Sequence, residues 1–210
     1  HFSEAALSGY AGVEFGSWDG FDWDTLADQT RAICQLAARH RVWVILGSTH
    51  RGEERLLLSA LKPLLRDWPD LAILLAPRYI HRRGELLQLA EQLGFEAALA
   101  SSAPPCRTGT VVDTMGDLPA LYGLASVAFV GGTLVPRGGQ NLLEPALAGA
   151  FVLHGPRTGR MEPWARLLRH QGWGQVATPD TLAELVWERL CDPRPAVPLR
   201  LSGHGPTATD

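Results

Sequence analysis

From Val42 onward the chain alternates between short, wholly apolar runs and longer stretches whose apolar side chains recur every three or four positions. Val42-Trp43-Val44-Ile45-Leu46 is the first run, and it ends in Gly47-Ser48. Glu53 to Arg66 follows with helical spacing. Leu71 to Ala76 is a second run, stopped by Pro77, and His81 to Leu93 is a second helix, closed by Gly94 as a C-terminal cap. Further strands are predicted at Ala97–Ala100, Thr110–Asp113, Val127–Val130, Phe151–Leu153 and Gln175–Ala177. Helices are predicted at Asp117–Leu124, Asn141–Ala148, Met161–His170 and Thr181–Cys191.

A strand with one wet face alternates polar and apolar residues. Strands that are apolar throughout, separated by amphipathic helices, imply a parallel sheet covered on both sides. The predicted fold is therefore α/β, a doubly wound Rossmann-like sheet over residues 23–192. Its first helix starts at the capping residue Asp24 and carries Leu26, Ile33, Leu36 and Ala37 at helical spacing. Residues 1–22, rich in glycine and aromatics, read as a linker or the remnant of an absent N-terminal domain. Residues 193–210, rich in proline and glycine, read as a loose tail.

Charge and cysteine usage narrow the function. With 19 Lys and Arg against 22 Asp and Glu, the formal net charge is −3. A general nucleic-acid binder needs a basic surplus to neutralise phosphates, so that class is excluded as an expectation. Lys62 is the only lysine, which rules out a phosphate loop of the G-x-x-x-x-G-K type. Cys34, Cys106 and Cys191 are scattered, with no C-x-x-C pair. They are expected to be reduced thiols in a cytosolic setting, neither a disulfide framework nor a zinc site. No apolar run is long enough to span a bilayer. The histidines lack metal-ligand spacing, so no metal is expected. Asp22-Trp23-Asp24 matches a metal-binding D-x-D but sits where Asp24 caps a helix, and Ser59-Ala60-Leu61-Lys62 has no companion motif. Arg82-Arg83 reads as a solvated face, with anionic lipid or a sugar carboxylate as a lesser alternative.

In a doubly wound sheet, ligands lie beyond the carboxyl ends of the strands, so the residues just after each strand carry the chemistry. The first strand runs into Ser48-Thr49-His50-Arg51-Gly52-Glu53-Glu54, which by spacing alone is a capped helix start. After the second strand, Pro77 is followed by Arg78, whose guanidinium suits a phosphate or a carboxylate. After the strand at Val112 comes Met115-Gly116-Asp117, where Gly116 lets the backbone approach a ligand. After Val130 come Gly131-Gly132-Thr133 and then Gly138-Gly139-Gln140-Asn141, ahead of a helix carrying Glu144. Such glycine pairs before a helix form a nest of amides suited to phosphate, and Glu144 suits ribose hydroxyls.

The ordered set Gly47-Ser48-Thr49-His50-Arg51-Gly52-Glu53-Glu54, Pro77-Arg78, Asp113-Thr114-Met115-Gly116-Asp117-Leu118, Phe129-Val130-Gly131-Gly132 and Gly138-Gly139-Gln140-Asn141-Leu142-Leu143-Glu144-Pro145 resembles the Kdo transferases. These enzymes move 3-deoxy-D-manno-oct-2-ulosonic acid (Kdo) from CMP-Kdo to a lipid A precursor. The resemblance covers residues 41–156 well and the rest faintly. It implies one half of a GT-B glycosyltransferase, with CMP contacts from Pro77, Arg78, Met115, Gly116, Asp117 and Asn141 through Leu142, Leu143 and Glu144. With the strand ends, the candidate substrate-binding set also includes Ser48, Thr49, His50, Gly132, Gly138, Gly139 and Gln140. The resemblance further implies that the general base and the lipid A acceptor site belong to an N-terminal domain absent here. It implies a full-length form at the cytoplasmic face of the inner membrane, this chain being soluble, with no cofactor besides the donor. The family has histidine where Tyr79 and Gln140 stand, and often glutamate at Asp117 and proline at Leu142. Gln140 can donate a hydrogen bond but cannot carry a positive charge. A related transferase using another nucleotide sugar, and a non-catalytic nucleotide-binding module, are the alternatives.

Overall fold

A computed structural model of the chain describes residues 42–102 and 108–191. The expected helix from Asp24, the Asp22-Trp23-Asp24 triplet, the segment 1–22, Cys34, Cys106 and the tail 193–210 lie outside the described residues. Seven strands pair in parallel throughout: β1 (Val42–Thr49), β2 (Leu71–Pro77), β3 (Ala97–Leu99), β4 (Gly109–Val111), β5 (Val127–Val130), β6 (Phe151–His154) and β7 (Gly174–Val176). The helices are α1 (Glu54–Leu61), α2 (Leu64–Asp67), α3 (Arg83–Gln92), α4 (Leu118–Tyr122), α5 (Leu143–Leu147), α6 (Glu162–His170) and α7 (Leu182–Cys191). Short 3₁₀ turns at Ile80–Arg82 and Gly159–Met161 lead into α3 and α6.

The strand order is β3-β4-β2-β1-β5-β6-β7. From β1 the chain passes to β2 and on to the edge strand β3, comes back to place β4 between those two, and then crosses to pair β5 with the other edge of β1 and continues to β6 and β7. That reversal leaves the topological switch point between the carboxyl ends of β1 and β5, the position where open α/β sheets bind ligands.

Alternation along the strands divides the core. Val44 and Leu46 of β1 and Leu71, Ile73 and Leu75 of β2 face a cluster with Leu57, Leu58 and Leu61 of α1, Leu86 of α3 and Leu182 and Val186 of α7. Trp43, Ile45, Ala72, Leu74 and Ala76 face the opposite cluster, with Leu121 and Tyr122 of α4. A third cluster joins Val130 and Val152 to Leu142, Ala146 of α5 and Ala165 and Leu168 of α6. Each wholly buried leucine among these contributes about 1.5–3 kcal/mol by leaving water. The apolar strands are therefore covered on both faces, as their composition requires.

Element boundaries differ from expectation where a local group intervenes. The single helix expected over Glu53–Arg66 is two, because Pro63 has no N–H and its ring would clash with the preceding turn. The helix expected from Asn141 starts at Leu143, since the Asn141 Oδ1 accepts the Leu143 N–H at 3.0 Å and holds a turn there. Gly94 ends α3 with φ +79°, as a C-terminal glycine should.

Candidate nucleotide site at the switch point

β1 runs three residues beyond its expected end, and its pairing with β2 slips between Gly47 and Thr49. At the slip Ser48 adopts φ +53°, the one non-glycine residue with positive φ among the described residues. A side chain in that region carries strain of about 1–2 kcal/mol. His50 follows directly after this irregularity, at the carboxyl end of β1. Ser48→Gly should remove the strain, and after glycine's larger unfolded-state entropy a gain of up to about 1 kcal/mol remains. A urea midpoint that stays put or falls would show that Ser48 is relaxed.

Loops from three strands meet on His50. Its ring lies edge-on to Tyr79, after β2, with centroids 5.7 Å apart. Its Nε2 lies 3.2 Å from Gln140 Nε2, in the loop after β5. The Gln140 amide, which carries no charge, is thus the polar neighbour of the His50 ring on that side. Burial lowers the His50 pKa, and the charges of Arg137, Arg78 and Arg82 add to that effect while Glu53 opposes it. Arg78 is anchored through its backbone, its N–H donating to the Thr49 carbonyl at 2.9 Å, and its guanidinium lies 5.7 Å from the Tyr79 ring centroid. Pro77 is the last residue of β2, in register with Thr49. Thr49 is fully buried, and its Oγ1 finds no hydrogen-bond partner among the described residues.

The loop after β5 is built differently from expectation. Glu53, expected to serve a helix cap, is wholly buried and accepts four backbone N–H groups: His50 at 2.9 Å, Gly132 at 2.7 Å, Thr133 at 3.0 Å and Leu134 at 2.9 Å. Only the bond to His50 belongs to a capping arrangement. The amide of Gly132, a candidate phosphate donor, is therefore already held by the protein's own carboxylate. Gly139 and Gln140 likewise donate to the carbonyls of Gly132 and Gly131 at 2.9 and 3.2 Å. Of the nest expected over Gly138–Asn141, the N–H groups of Gly138 and Asn141 make no hydrogen bond among the described residues.

Asn141 Nδ2 donates to Glu144 Oε1 at 3.0 Å. Half-burial raises the Glu144 pKa to about 7, despite the opposing bond from Asn141. Leu142 is buried in the third core cluster, so its side chain packs inward, and Leu143 opens α5. After β4, on the opposite side of β2 from β1, Met115 is half-buried and Gly116 exposed with φ +94°. Asp117 is buried and accepts a hydrogen bond from the Thr114 hydroxyl.

Two supports went unrecognised in the sequence. The loop after β6 clasps the β5 loop: Gly155 N–H donates to Thr133 Oγ1 at 2.7 Å, and Arg157 N–H to the Thr133 carbonyl at 3.0 Å. A Cβ on Gly155 would lie 2.4 Å from that carbonyl oxygen, so the contact requires glycine. Beneath it, buried His154 donates from Nδ1 to the Gly155 carbonyl at 2.8 Å, and Arg169 joins Glu162 at 2.9 Å. The second support is Arg82. Expected on a solvated face, it is 7% exposed and bonds Glu54 at 2.6 Å and Glu85 at 3.0 Å, while Arg83 is exposed. Arg82, with Arg51, holds the Glu85 pKa down to about 2. The pairing tethers the Arg78–Tyr79 loop to the start of α1. A buried carboxylate on a distant helix cannot be read from the doublet itself.

Among the described residues no group of three or more His, Cys, Asp or Glu side chains is placed to hold a metal, and no helix is long and apolar enough to cross a membrane. No protein-family model matches the chain. Its sequence is 35% identical over 150 residues to the 3-deoxy-D-manno-octulosonic acid transferase of Haemophilus influenzae, covering 69% of this chain and 35% of that protein. It is 34% identical over 134 residues to the transferase of the same name from Aquifex aeolicus, covering 63% of this chain and 37% of that protein. The match thus spans about a third of these relatives' length. The fold matches the crystal structure of the C-terminal CMP-Kdo binding domain of WaaA from Acinetobacter baumannii, with a TM-score of 0.72, 26% identity, and coverage of 81% of this chain and 91% of that domain. From sequence relatives and domain-level structure together, the chain belongs to the 3-deoxy-D-manno-octulosonic acid transferase family and corresponds to the C-terminal, Rossmann-like half of its GT-B architecture.

Proposed function

We propose that this chain is the donor-binding domain of an inverting glycosyltransferase that moves Kdo from CMP-Kdo to a lipid A precursor. The observation that carries the proposal is the meeting of the β1, β2 and β5 loops on His50 at the switch point, in a domain related to one that binds CMP-Kdo. In this reading Arg78 and the N–H groups of Gly138 and Asn141 take the phosphate, and Glu144 takes the ribose hydroxyls. As the bond to the sugar breaks, negative charge grows on the CMP phosphate, and a guanidinium with fixed amides stabilises it without calling on a metal. Met115, Gly116 and Asp117, across β2, would border the nucleotide. The base that deprotonates the acceptor, the lipid A site and any attachment to the inner membrane's cytoplasmic face would come from the part of the protein that this match does not span. The domain alone is then expected to bind donor without turnover.

A second reading, transfer from a different nucleotide sugar, is favoured by one feature. Burial disfavours the charged form of His50, and Gln140 beside it cannot carry a charge, so the site carries less positive charge than a second histidine there would supply. Calorimetry with CMP, UMP and CDP separates the readings: CMP binds best in the first, another nucleotide in the second. No binding by any of the three would reject both.

The pH dependence tests the ribose assignment. Glu144 in the free domain has a pKa of about 7, raised from 4.5 by burial. The folded state therefore holds its proton more tightly than the unfolded one, and this carboxyl costs the domain stability as pH rises between those two values. If the ionised form accepts the ribose hydroxyls, binding releases a proton below pH 7. Affinity for a cytidine phosphodiester, whose own phosphate does not titrate here, should then fall about tenfold from pH 8 to pH 6. Glu144→Gln should flatten that slope, and Glu144→Ala should weaken binding at pH 8. An unchanged slope in Glu144→Gln would move the ribose elsewhere.

A further inference from the structure

The buried carboxylate of Glu53 has a geometry that helix capping leaves unexplained. Its two oxygens each accept two backbone N–H groups, and three of the four donors are consecutive: Gly132, Thr133 and Leu134. Consecutive N–H groups converging on one anion form the kind of concavity that binds phosphate. Here the concavity is filled from within, by a side chain 79 to 81 residues earlier in the chain. The geometry points to Glu53 as a positioning residue: an internal anion that holds the β5 loop in the shape that presents Gly138, Gln140 and Asn141 to the nucleotide.

The connection can be followed bond by bond. Glu53 fixes the N–H groups of Gly132, Thr133 and Leu134, and with them the peptide planes at Gly131 and Gly132. The carbonyls of those two glycines accept the N–H groups of Gln140 and Gly139 at 3.2 and 2.9 Å. From its other side Glu53 holds the His50 N–H at 2.9 Å, and the His50 ring meets the Gln140 side chain at 3.2 Å. One carboxylate thus anchors both partners of the His50–Gln140 contact without touching the ligand. Thr133 is clamped from the opposite side by Gly155, so the loop is held between the β1 exit and the β6 loop. An amide in place of the carboxylate presents an N–H₂ to two of these donors, leaving buried N–H groups unmatched.

This inference rests on the nucleotide-binding reading above, and its test separates the two. Hydrogen exchange in the unaltered protein comes first. The N–H groups of Gly132, Thr133 and Leu134 should be protected without nucleotide and unchanged when CMP is added, while those of Gly138 and Asn141 gain protection only with CMP. If Gly132–Leu134 exchange freely until CMP arrives, they belong to the ligand and the inference is overturned, whereas failure of CMP to bind the unaltered protein refutes the functional reading alone. Next, Glu53→Gln, compared at a temperature where circular dichroism shows it folded, should bind CMP at least tenfold more weakly. Affinity within twofold of the unaltered protein would overturn the inference. Finally, Glu53→Ala leaves room for a small carboxylate, and formate should restore CMP affinity toward that of the unaltered protein. Stability rescued by formate with no recovery of CMP affinity would reduce Glu53 to a structural role and overturn the inference.

Discussion

Arg82→Ala should lower the stability of the domain by about 3–5 kcal/mol, the usual cost of leaving a buried charge without its partner. Glu54 is 1% exposed and sits 2.6 Å from the Arg82 guanidinium, so the truncation leaves a buried carboxylate without its cation. For a protein of this size the loss corresponds to a melting temperature lower by roughly 10 °C. The effect comes from breaking the pair rather than from any large net worth of the pair. The double variant Glu54→Met with Arg82→Met should therefore melt near the parent protein, because apolar residues of similar volume avoid the desolvation cost. Thermal denaturation of the three proteins decides the matter. A single variant as stable as the parent, or a double variant as unstable as the single, would show that Arg82 does not tether this loop through Glu54.

Gly131→Ala should disrupt the site more than any other glycine-to-alanine change in the β5 loop. A Cβ there would lie 2.5 Å from the Ser48 carbonyl oxygen and 2.5 Å from the Thr49 Cα. Both obstacles are backbone, so no side chain can swing aside, and the ends of β1 and β5 must separate. Overpacking of this kind costs about 2–3 kcal/mol. It also displaces the Gly131 carbonyl that holds Gln140, so CMP affinity should fall by more than tenfold. Gly138→Ala is the control. Its Cβ meets nothing within 4 Å, and only its φ of +77° opposes the change, at about 1–2 kcal/mol. Urea midpoints of both variants would show the order in stability, and calorimetry on Gly131→Ala the loss of affinity. Equal losses at the two positions would mean that the contact with Ser48 and Thr49 is not tight.

The two cases mark different limits of the sequence. Gly131-Gly132 announces a loop that needs glycine, but the reason at Gly131 is an approaching strand, which belongs to another part of the chain. The doublet Arg82-Arg83 offers no hint that one arginine is buried and the other wet, since the two differ in which of them meets Glu54.

What the sequence by itself determined is the layered α/β fold and the positions of most strands, because uniformly apolar runs leave no option but burial on both faces. The ordered motifs along residues 41–156 also pointed to the transferase family, and the relatives bear that out. Arg78 and His50 were legible as residues just past strand ends, where any doubly wound sheet gathers its chemistry, and Glu144 as the carboxylate at the start of the helix that follows the β5 loop. Only the tertiary structure decided which groups are already engaged inside the protein. Glu53 and Glu54 are adjacent carboxylates at one helix start, yet one closes on three amides from beyond β5 and the other on a guanidinium from beyond β2. Period and spacing record the side of an element on which a residue lies. They hold no record of what the neighbouring strand brings to meet it, because that depends on strand order, which is a property of the assembled sheet.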